Sequence, residues 1–246
     1  MGKLMKLDVL NAAKLCMDVY NPLVETPGKF FKSFDTDAEL YVALIDDTAV
    51  VCARGSDHIK DWRMNFMMEL VPFATATRER CEAMVHTGFM IQWTSVKEGV
   101  IEEIEKITAM EECKKILFTG HSSGASLCAL ACYDYLPKCT TPCEVITFGS
   151  PRFCNKEMKD IFDEGVVCTR VVNDMDAVTL APLKSRGYVH VGKVLHMRDS
   201  DIDYSDLSWW EKVWWTSYNL LRPDFGVSDH FINKYVEEIE ARMANN

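Results

Sequence analysis

Apolar residues along the chain form short unbroken runs that alternate with longer segments of helical period. Unbroken apolar runs are typical of the buried strands of a parallel sheet, and an i, i+3, i+4 period is typical of helices that pack on one. This pattern predicts helices at 7–20, 89–107, 155–162 and 229–243 and strands at 40–45, 49–53, 116–119, 144–148, 166–172 and 189–197. The alternation predicts an α/β fold, a central mostly parallel sheet flanked by helices, in a single domain over 1–246.

One predicted strand-to-helix junction carries a Gly-x-Ser-x-Gly turn. The run 116–119 leads directly into Gly120, His121, Ser122, Ser123 and Gly124, and an apolar helical segment follows. Such a nucleophile elbow holds its central serine in a strained conformation, and the two glycines remove Cβ atoms that would collide there. Ser123 does not have this spacing, so the candidate nucleophile is Ser122.

A serine hydroxyl needs a base before it can act as a nucleophile. His121 adjoins the serine and cannot easily fold back onto it, whereas His190 and His196 belong to a predicted strand, where a structural role is more natural. His230 lies at a predicted loop-to-helix junction near the end of the chain. That position suits a catalytic base, so His230 is the preferred candidate.

The acid that orients the base is expected between the serine and the histidine, as in esterases built on such elbows. Asp176 follows the predicted strand 166–172, where a loop would present it beside the serine. Asp174 lies two residues earlier and is a close competitor. The residues alone favour Asp176 but leave both carboxylates open.

Several separate stretches resemble the class 3 lipases, an α/β-hydrolase family that includes fungal triacylglycerol lipases and plant acylhydrolases. The matching stretches are 50–56 with Asp61 and Trp62, 85–89, 120–124, 146–152, 170–178, 190–192 and 229–230. The resemblance covers roughly 40–240 and selects Asp176 over Asp174 through the pattern Arg-x-x-Asn-x-x-Asp-x-Val. The chain departs from the family at Ala125 and Ser126 after the elbow, and 199–226 matches nothing in it.

The resemblance implies a serine carboxylic ester hydrolase that acts on acylglycerols or related lipid esters. Ser122 would attack the ester, His230 would carry the proton, and Asp176 would orient the imidazole. The backbone N–H of Ser123 is one expected oxyanion donor, and the resemblance assigns the other to Ser56, whose side chain would add a third. A phospholipid acylhydrolase and a small-ester esterase are neighbouring alternatives, and a non-catalytic lipid-binding protein is an alternative of another class.

Two segments are candidates for control of substrate access. Residues 57–70 carry apolar side chains at helical spacing, which predicts either a lid or a fixed helix over the core; these are Ile59, Trp62, Phe66, Met67 and Leu70. The stretch 199–226 concentrates four tryptophans, Trp209, Trp210, Trp214 and Trp215. They favour an acyl-chain wall, a dimer contact, an interfacial anchor or simple core burial.

Composition narrows the choice of partner. The 246-residue chain has a net charge of −10 and 48% hydrophobic residues. This charge argues against binding to nucleic acid, so any transient contact with a lipid surface would be hydrophobic. No cofactor, metal site or partner protein is expected. Asp199, Asp201 and Asp203 are spaced as in a calcium loop, but Tyr204 occupies the position that requires glycine.

Cysteine usage and the first residues bear on the compartment. Residues 1–6 lack the apolar core of a signal peptide, and most of the ten cysteines are scattered through predicted strands and helices. Cys139 and Cys143 flank a short loop and would pair only if oxidised. We therefore expect a cytoplasmic protein with free thiols, while unusual export is left open.

Overall fold

A computed structural model describes residues 2–21, 28–56, 69–73, 82–174, 176–197 and 228–244, with side chains from residue 9 onward. Within these ranges the helices are α1 (Gly2–Asp18), α2 (Thr87–Thr108), α3 (Ser123–Tyr135), α4 (Lys156–Gly165) and α5 (Ile232–Ala244). The strands are β1 (Lys29–Lys32), β2 (Glu39–Ile45), β3 (Thr48–Ala53), β4 (Leu70–Pro72), β5 (Met84–His86), β6 (Lys115–His121), β7 (Cys143–Phe148), β8 (Val167–Val172) and β9 (Lys193–His196).

Among the described residues, the central sheet has seven strands in the order β1-β2-β3-β6-β7-β8-β9. Strands β3, β6, β7, β8 and β9 are parallel, and β1 and β2 extend the sheet as antiparallel strands. The register pairs Ala53 with Gly120 and Gly120 with Thr147, so the carboxyl ends of three central strands align. The predicted α/β-hydrolase architecture, a mostly parallel sheet flanked by helices, is confirmed.

Helices cover both faces of this sheet because successive strand residues point to opposite sides. In β2, Leu40 and Val42 join a core under α2, α3 and α4, whereas Tyr41 and Ala43 join a second core under α1 and α5. The larger core holds Trp93 of α2, fully buried, and the smaller one holds the buried Tyr235 of α5. The helix that carries Tyr235 is therefore fixed against the sheet close to the strand ends.

The predicted strand 189–197 is too long. Strand β9 begins only at Lys193, and Val189 forms an isolated bridge with Cys154. Gly192 separates them with a φ of 72°, and a Cβ there would lie 2.5 Å from the Cys168 sulfur. The left-handed turn at this glycine ends the extended backbone, a feature that a run of apolar residues does not reveal.

Leu70 corrects the prediction for residues 57–70. It begins β4 and pairs with His86 in a two-stranded antiparallel sheet, so it is extended rather than part of a lid helix. The remaining predicted lid residues, Ile59, Trp62, Phe66 and Met67, and the four clustered tryptophans lie outside the described residues. The lid stays a prediction, and so does the single domain over 1–246.

Each helix among the described residues is too short or too polar to span a lipid bilayer. Across the same ranges, no group of three or more His, Cys, Asp or Glu side chains is arranged to hold a metal ion. The described cysteines are unpaired, and these include Cys139 and Cys143.

Candidate active site

The nucleophile elbow forms where β6 ends at His121 and α3 begins at Ser123. Ser122 has a φ of 60° and a ψ of −132°, a backbone conformation that residues other than glycine rarely adopt. A Cβ on Gly120 would lie 2.5 Å from the carbonyl oxygen of Gly124, and one on Gly124 would lie 2.3 Å from the carbonyl oxygen of Ala53. Both glycines are therefore required for the turn, as the spacing of the motif predicts.

The structure brings Ser122, His230 and Asp176 together in one hydrogen-bonded chain. The His230 Nδ1 atom lies 2.8 Å from Asp176 Oδ2, and His230 Nε2 lies 2.8 Å from Ser122 Oγ. Because a carboxylate only accepts, Nδ1 carries the proton, and Nε2 accepts the hydrogen bond from the serine hydroxyl. His230 is 0% exposed and Asp176 is 2% exposed, so the bond between them is shielded from water, whereas the bond to the partly exposed Ser122 is only partly buried.

Asp176 is held on both carboxylate oxygens. Oδ1 accepts the backbone N–H of Val178 at 2.9 Å, and Oδ2 also accepts the Tyr235 hydroxyl at 2.6 Å. Burial by itself raises the pKa of Asp176, but the adjacent His230 and the hydrogen bonds from His230 and Tyr235 outweigh it and hold the pKa below its usual value. The geometry places Asp176, rather than its competitor Asp174, on His230.

The main chain around His230 is fastened by two side chains. His121 Nε2 donates to the carbonyl oxygen of His230 at 2.6 Å, and Asn173 Nδ2 donates to the carbonyl oxygen of Asp229 at 3.0 Å. Burial, and then the neighbouring His230, lower the pKa of His121 to about 3. His121 is therefore a neutral residue that hydrogen-bonds the main chain of His230.

The two predicted oxyanion donors lie beside Ser122. A Cβ on Gly55 would lie 3.0 Å from the Ser122 Cβ, so the segment that carries Ser56 packs directly against the elbow. Because Ser123 begins α3, its N–H has no acceptor within the helix. The Ser56 N–H, however, donates to Ser123 Oγ at 3.0 Å, and the Oγ atoms of Ser56 and Ser123 are 3.2 Å apart. Without substrate, the Ser56 N–H is therefore already bonded to the Ser123 hydroxyl.

Sequence reasoning missed the residues that hold this arrangement in place. Asn173 lies within a motif that was used only to choose the acid, and Tyr20 and Tyr235 belong to helical segments whose pattern predicts only burial. The expected structural histidine His190 is partly buried and hydrogen-bonds the carbonyl oxygen of Thr179 at 2.9 Å. An aromatic residue at the end of a predicted helix gives no sign of the polar partner that its hydroxyl reaches.

A mostly parallel sheet with a serine elbow, and with a histidine and a carboxylate in line behind the serine, defines the α/β-hydrolase class. Within that class, the chain belongs to the class 3 lipases, because the profile of the family described as "Lipase (class 3)" matches residues 50–186.

Curated relatives include a secreted mono- and diacylglycerol lipase A of Penicillium cyclopium, 30% identical over 179 residues, which cover 69% of this chain and 57% of the relative. Phospholipase A(1) DAD1, chloroplastic, of Arabidopsis thaliana is 29% identical over 62% of this chain and 35% of its own length. The chain thus spans little more than half of the first relative and about a third of the second. A solved triacylglyceride lipase of Rhizomucor miehei is similar in fold, with a TM-score of 0.73 at 20% identity over 94% of both chains.

The prediction of a cytoplasmic protein is contradicted by these relatives. Those from Penicillium cyclopium and Fusarium solani are named as secreted lipases. A secretory leader is removed from a mature protein, so the first residues of a chain do not fix its compartment. Cys16, Cys52 and Cys128 are buried in the core, where a thiol acts as a small apolar side chain and carries no information about location.

Proposed function

We propose that this protein hydrolyses carboxylic esters of acylglycerols or related lipids, with Ser122 as nucleophile, His230 as general base and acid, and Asp176 as the group that orients His230. The observation that carries the proposal is the unbroken chain of two 2.8 Å hydrogen bonds from Ser122 Oγ through the His230 ring to Asp176. A strained serine at a strand end with this partner is the arrangement that acyl transfer needs.

The reaction proceeds in two steps, formation of an acyl-enzyme and its hydrolysis. Ser122 Oγ attacks the ester carbonyl carbon while His230 Nε2 takes the hydroxyl proton, and His230 then protonates the departing alcohol as the C–O bond breaks. Water attacks the resulting acyl-enzyme with the same base, and the acid leaves as Ser122 regains its proton. Asp176, held by Tyr235 and Val178, stays ionised and stabilises the imidazolium in both steps.

The negative charge that develops on the carbonyl oxygen is placed between the backbone N–H groups of Ser123 and Ser56, with the Ser56 hydroxyl as a third donor. Because the Ser56 N–H now donates to Ser123 Oγ, the substrate oxygen has to replace that hydroxyl as its acceptor. A charged oxygen is the stronger acceptor, so the exchange favours the transition state over the ground state.

A lipid ester is favoured as substrate by the family and by relatives named for mono- and diacylglycerols and for phospholipids. Two exposed apolar side chains also adjoin the catalytic segments: Phe231, 47% exposed, directly follows His230, and Leu183, 62% exposed, follows the turn Ala177–Leu180 that begins after Asp176. They support transient hydrophobic contact with a lipid surface, which suits a chain of net charge −10.

Hydrolysis of p-nitrophenyl esters from acetate to palmitate, with a triacylglycerol emulsion and phospholipid vesicles alongside, tests the proposal. We expect wild-type turnover on long chains and a loss on the order of 10⁶-fold in Ser122→Ala. Ser95→Ala, which removes an exposed hydroxyl on α2, is the matched control and should behave as wild type. Turnover confined to short soluble esters would make the protein an esterase, and preference for the vesicles would make it a phospholipid acylhydrolase.

A non-catalytic lipid-binding protein is the alternative of another class. Labelling by a fluorophosphonate distinguishes it, because only an activated serine reacts with such a probe. Folded wild-type protein that resists labelling, with detergent present to mimic a lipid surface, would overturn the proposed hydrolysis.

A further inference from the structure

A hydrogen-bond chain that takes no part in the proposed chemical steps runs from Tyr20 to His230. Tyr20 packs against the oxyanion segment, since a Cβ on Gly55 would lie 2.2 Å from the Tyr20 hydroxyl oxygen. The Tyr20 hydroxyl lies 3.0 Å from His121 Nδ1, and His121 Nε2 lies 2.6 Å from the carbonyl oxygen of His230. The chain therefore connects the residues after α1, the elbow and the segment that carries His230, and the segment after β3 packs against it.

The direction of every proton in this chain follows from its ends. The His230 carbonyl only accepts, so His121 Nε2 carries a proton and donates it. Because His121 is neutral, with its pKa lowered to about 3, its Nδ1 has a lone pair and accepts the Tyr20 hydroxyl proton. One arrangement of hydrogens therefore satisfies the Tyr20 hydroxyl, both His121 nitrogens and the His230 carbonyl.

His230 depends on contacts of this kind because of where it lies. It ends a single 3-10 turn, Ser228–His230, ahead of α5, and belongs to no strand that would fix its backbone. The imidazole of His121 also stacks on that of His230, with ring centroids 4.6 Å apart and planes tilted by 33°. His121 therefore contacts both the main chain and the ring of His230.

We propose that Tyr20 and His121 are positioning residues for this hydrolysis: the hydrogen bonds from Tyr20 through His121 to the His230 carbonyl hold the His230 imidazole at the distance at which it accepts the Ser122 proton. This inference rests on the proposed function, since it concerns the placement of its base. Neither residue touches the substrate. Their removal lowers kcat and leaves KM unchanged, because ground-state binding does not depend on the base.

Tyr20→Phe deletes only the hydroxyl and keeps the ring that packs edge-on against His121, with centroids 5.8 Å apart. We expect kcat for p-nitrophenyl butyrate, and the rate constant of fluorophosphonate labelling, to fall about two- to tenfold, the effect of one neutral hydrogen bond. His121→Leu leaves the His230 carbonyl without its donor and should lower both about 5- to 150-fold. His121→Gln, which offers one donor and one acceptor, should recover most of that loss.

Tyr41→Phe is the matched control, because the Tyr41 hydroxyl is buried and has no hydrogen-bond partner among the described residues. It should label at the wild-type rate. If Tyr20 and His121 act through one chain, the double variant Tyr20→Phe with His121→Leu should label no more slowly than His121→Leu alone. Losses that multiply would overturn the proposal, as would Tyr20→Phe and His121→Leu proteins that label as fast as wild type.

The outcomes separate this inference from the proposed function. Folded wild-type protein that does not label would refute the hydrolysis itself, whereas wild-type labelling that both variants retain would refute only the positioning roles. Should the variants fail to fold, ¹⁵N chemical shifts of the wild-type His121 ring give an independent answer. We expect the His121 ring to be neutral and protonated at Nε2 between pH 5 and 8. A ring protonated at Nδ1 would refute the proposed hydrogen-bond chain.

Discussion

The two halves of the candidate site are built differently. In the histidine half, formed by His230, Asp176 and Tyr235, each residue is buried, and Asp176 alone accepts three hydrogen bonds from other residues. In the oxyanion half, Ser56 is exposed, and its N–H donates to the side chain of Ser123. The histidine half therefore already has the geometry that the proposed reaction needs. In the oxyanion half, one proposed donor, the Ser56 N–H, is bonded to the Ser123 side chain.

This difference indicates which hydrogen bonds of the site can be exchanged when a substrate binds. Breaking a buried bond to a charged group costs more than exchanging an exposed hydroxyl for an oxyanion, because the buried partners have no water to replace the lost bond. The histidine half should therefore tolerate almost no substitution, and the oxyanion half should respond in smaller steps. Four measurements test that contrast, from the largest expected effect to the smallest.

Asp176→Asn should lower kcat about 10⁴-fold, since an amide in place of the carboxylate no longer stabilises the protonated His230 or its tautomer. Asp174→Asn is the control, because Asp174 has a φ of 29°, in a region where asparagine is readily accommodated, and should change kcat by less than about threefold. Steady-state kinetics on a p-nitrophenyl ester give both values. Equal losses of kcat in the two variants would contradict the assignment of Asp176 as the carboxylate that orients His230.

Ser56→Ala keeps the backbone donor and removes the hydroxyl of the oxyanion half. We expect kcat to fall by at most about 10²–10³-fold, the range for one oxyanion donor, and thus far less than in Ser122→Ala. The loss should be in kcat rather than in KM, because the charge on the oxygen appears only in the transition state. A variant as inactive as Ser122→Ala would contradict the contrast between the two halves.

Acid should destabilise the fold through His121 and His190. The pKa of His121 is lowered from 6.5 to about 3, so below pH 6.5 the unfolded chain binds a proton that the folded one does not. The free energy of unfolding therefore falls as the pH drops from 6.5 towards 3. His190, whose pKa is also lowered, acts in the same direction, and Asp176 adds a further loss below pH 3.8.

Urea unfolding between pH 7.5 and 4 measures this decline, and His121→Gln should make it shallower because the variant has no group to protonate at that position. A decline as steep in His121→Gln as in wild type would show that His121 is not the source. His190→Gln provides the second comparison, since the two effects act at separate sites and should add.

Ser123→Ala is the smallest expected change. Without the hydroxyl that now accepts the Ser56 N–H, that donor is open to the substrate oxygen, and fluorophosphonate labelling should become faster by less than about tenfold. Ser123→Thr keeps a hydroxyl and should label as wild type. Slower labelling of Ser123→Ala would mean that its hydroxyl donates to the oxyanion instead.

Local patterns predict much of this molecule. The strand-to-helix elbow at Ser122 follows from residue spacing because its geometry depends on two glycines close in the chain. The choice of Asp176 and His230 follows from chain order and from the resemblance, and the structure brings both to the serine. The prediction for Leu70 is wrong, because helical spacing of apolar residues does not show that β5 supplies a pairing partner.

Sequence by itself determined the class of fold, the family and the three residues that meet at the elbow, since each depends on short patterns or on the order of motifs. Tertiary structure alone decided that Tyr235 hydrogen-bonds Asp176, that Tyr20 reaches His121, and that Ser123 occupies the Ser56 donor. These contacts join residues 59, 101 and 67 positions apart. A side-chain hydroxyl finds such a partner only after the sheet and helices have packed, so no local pattern can reveal it.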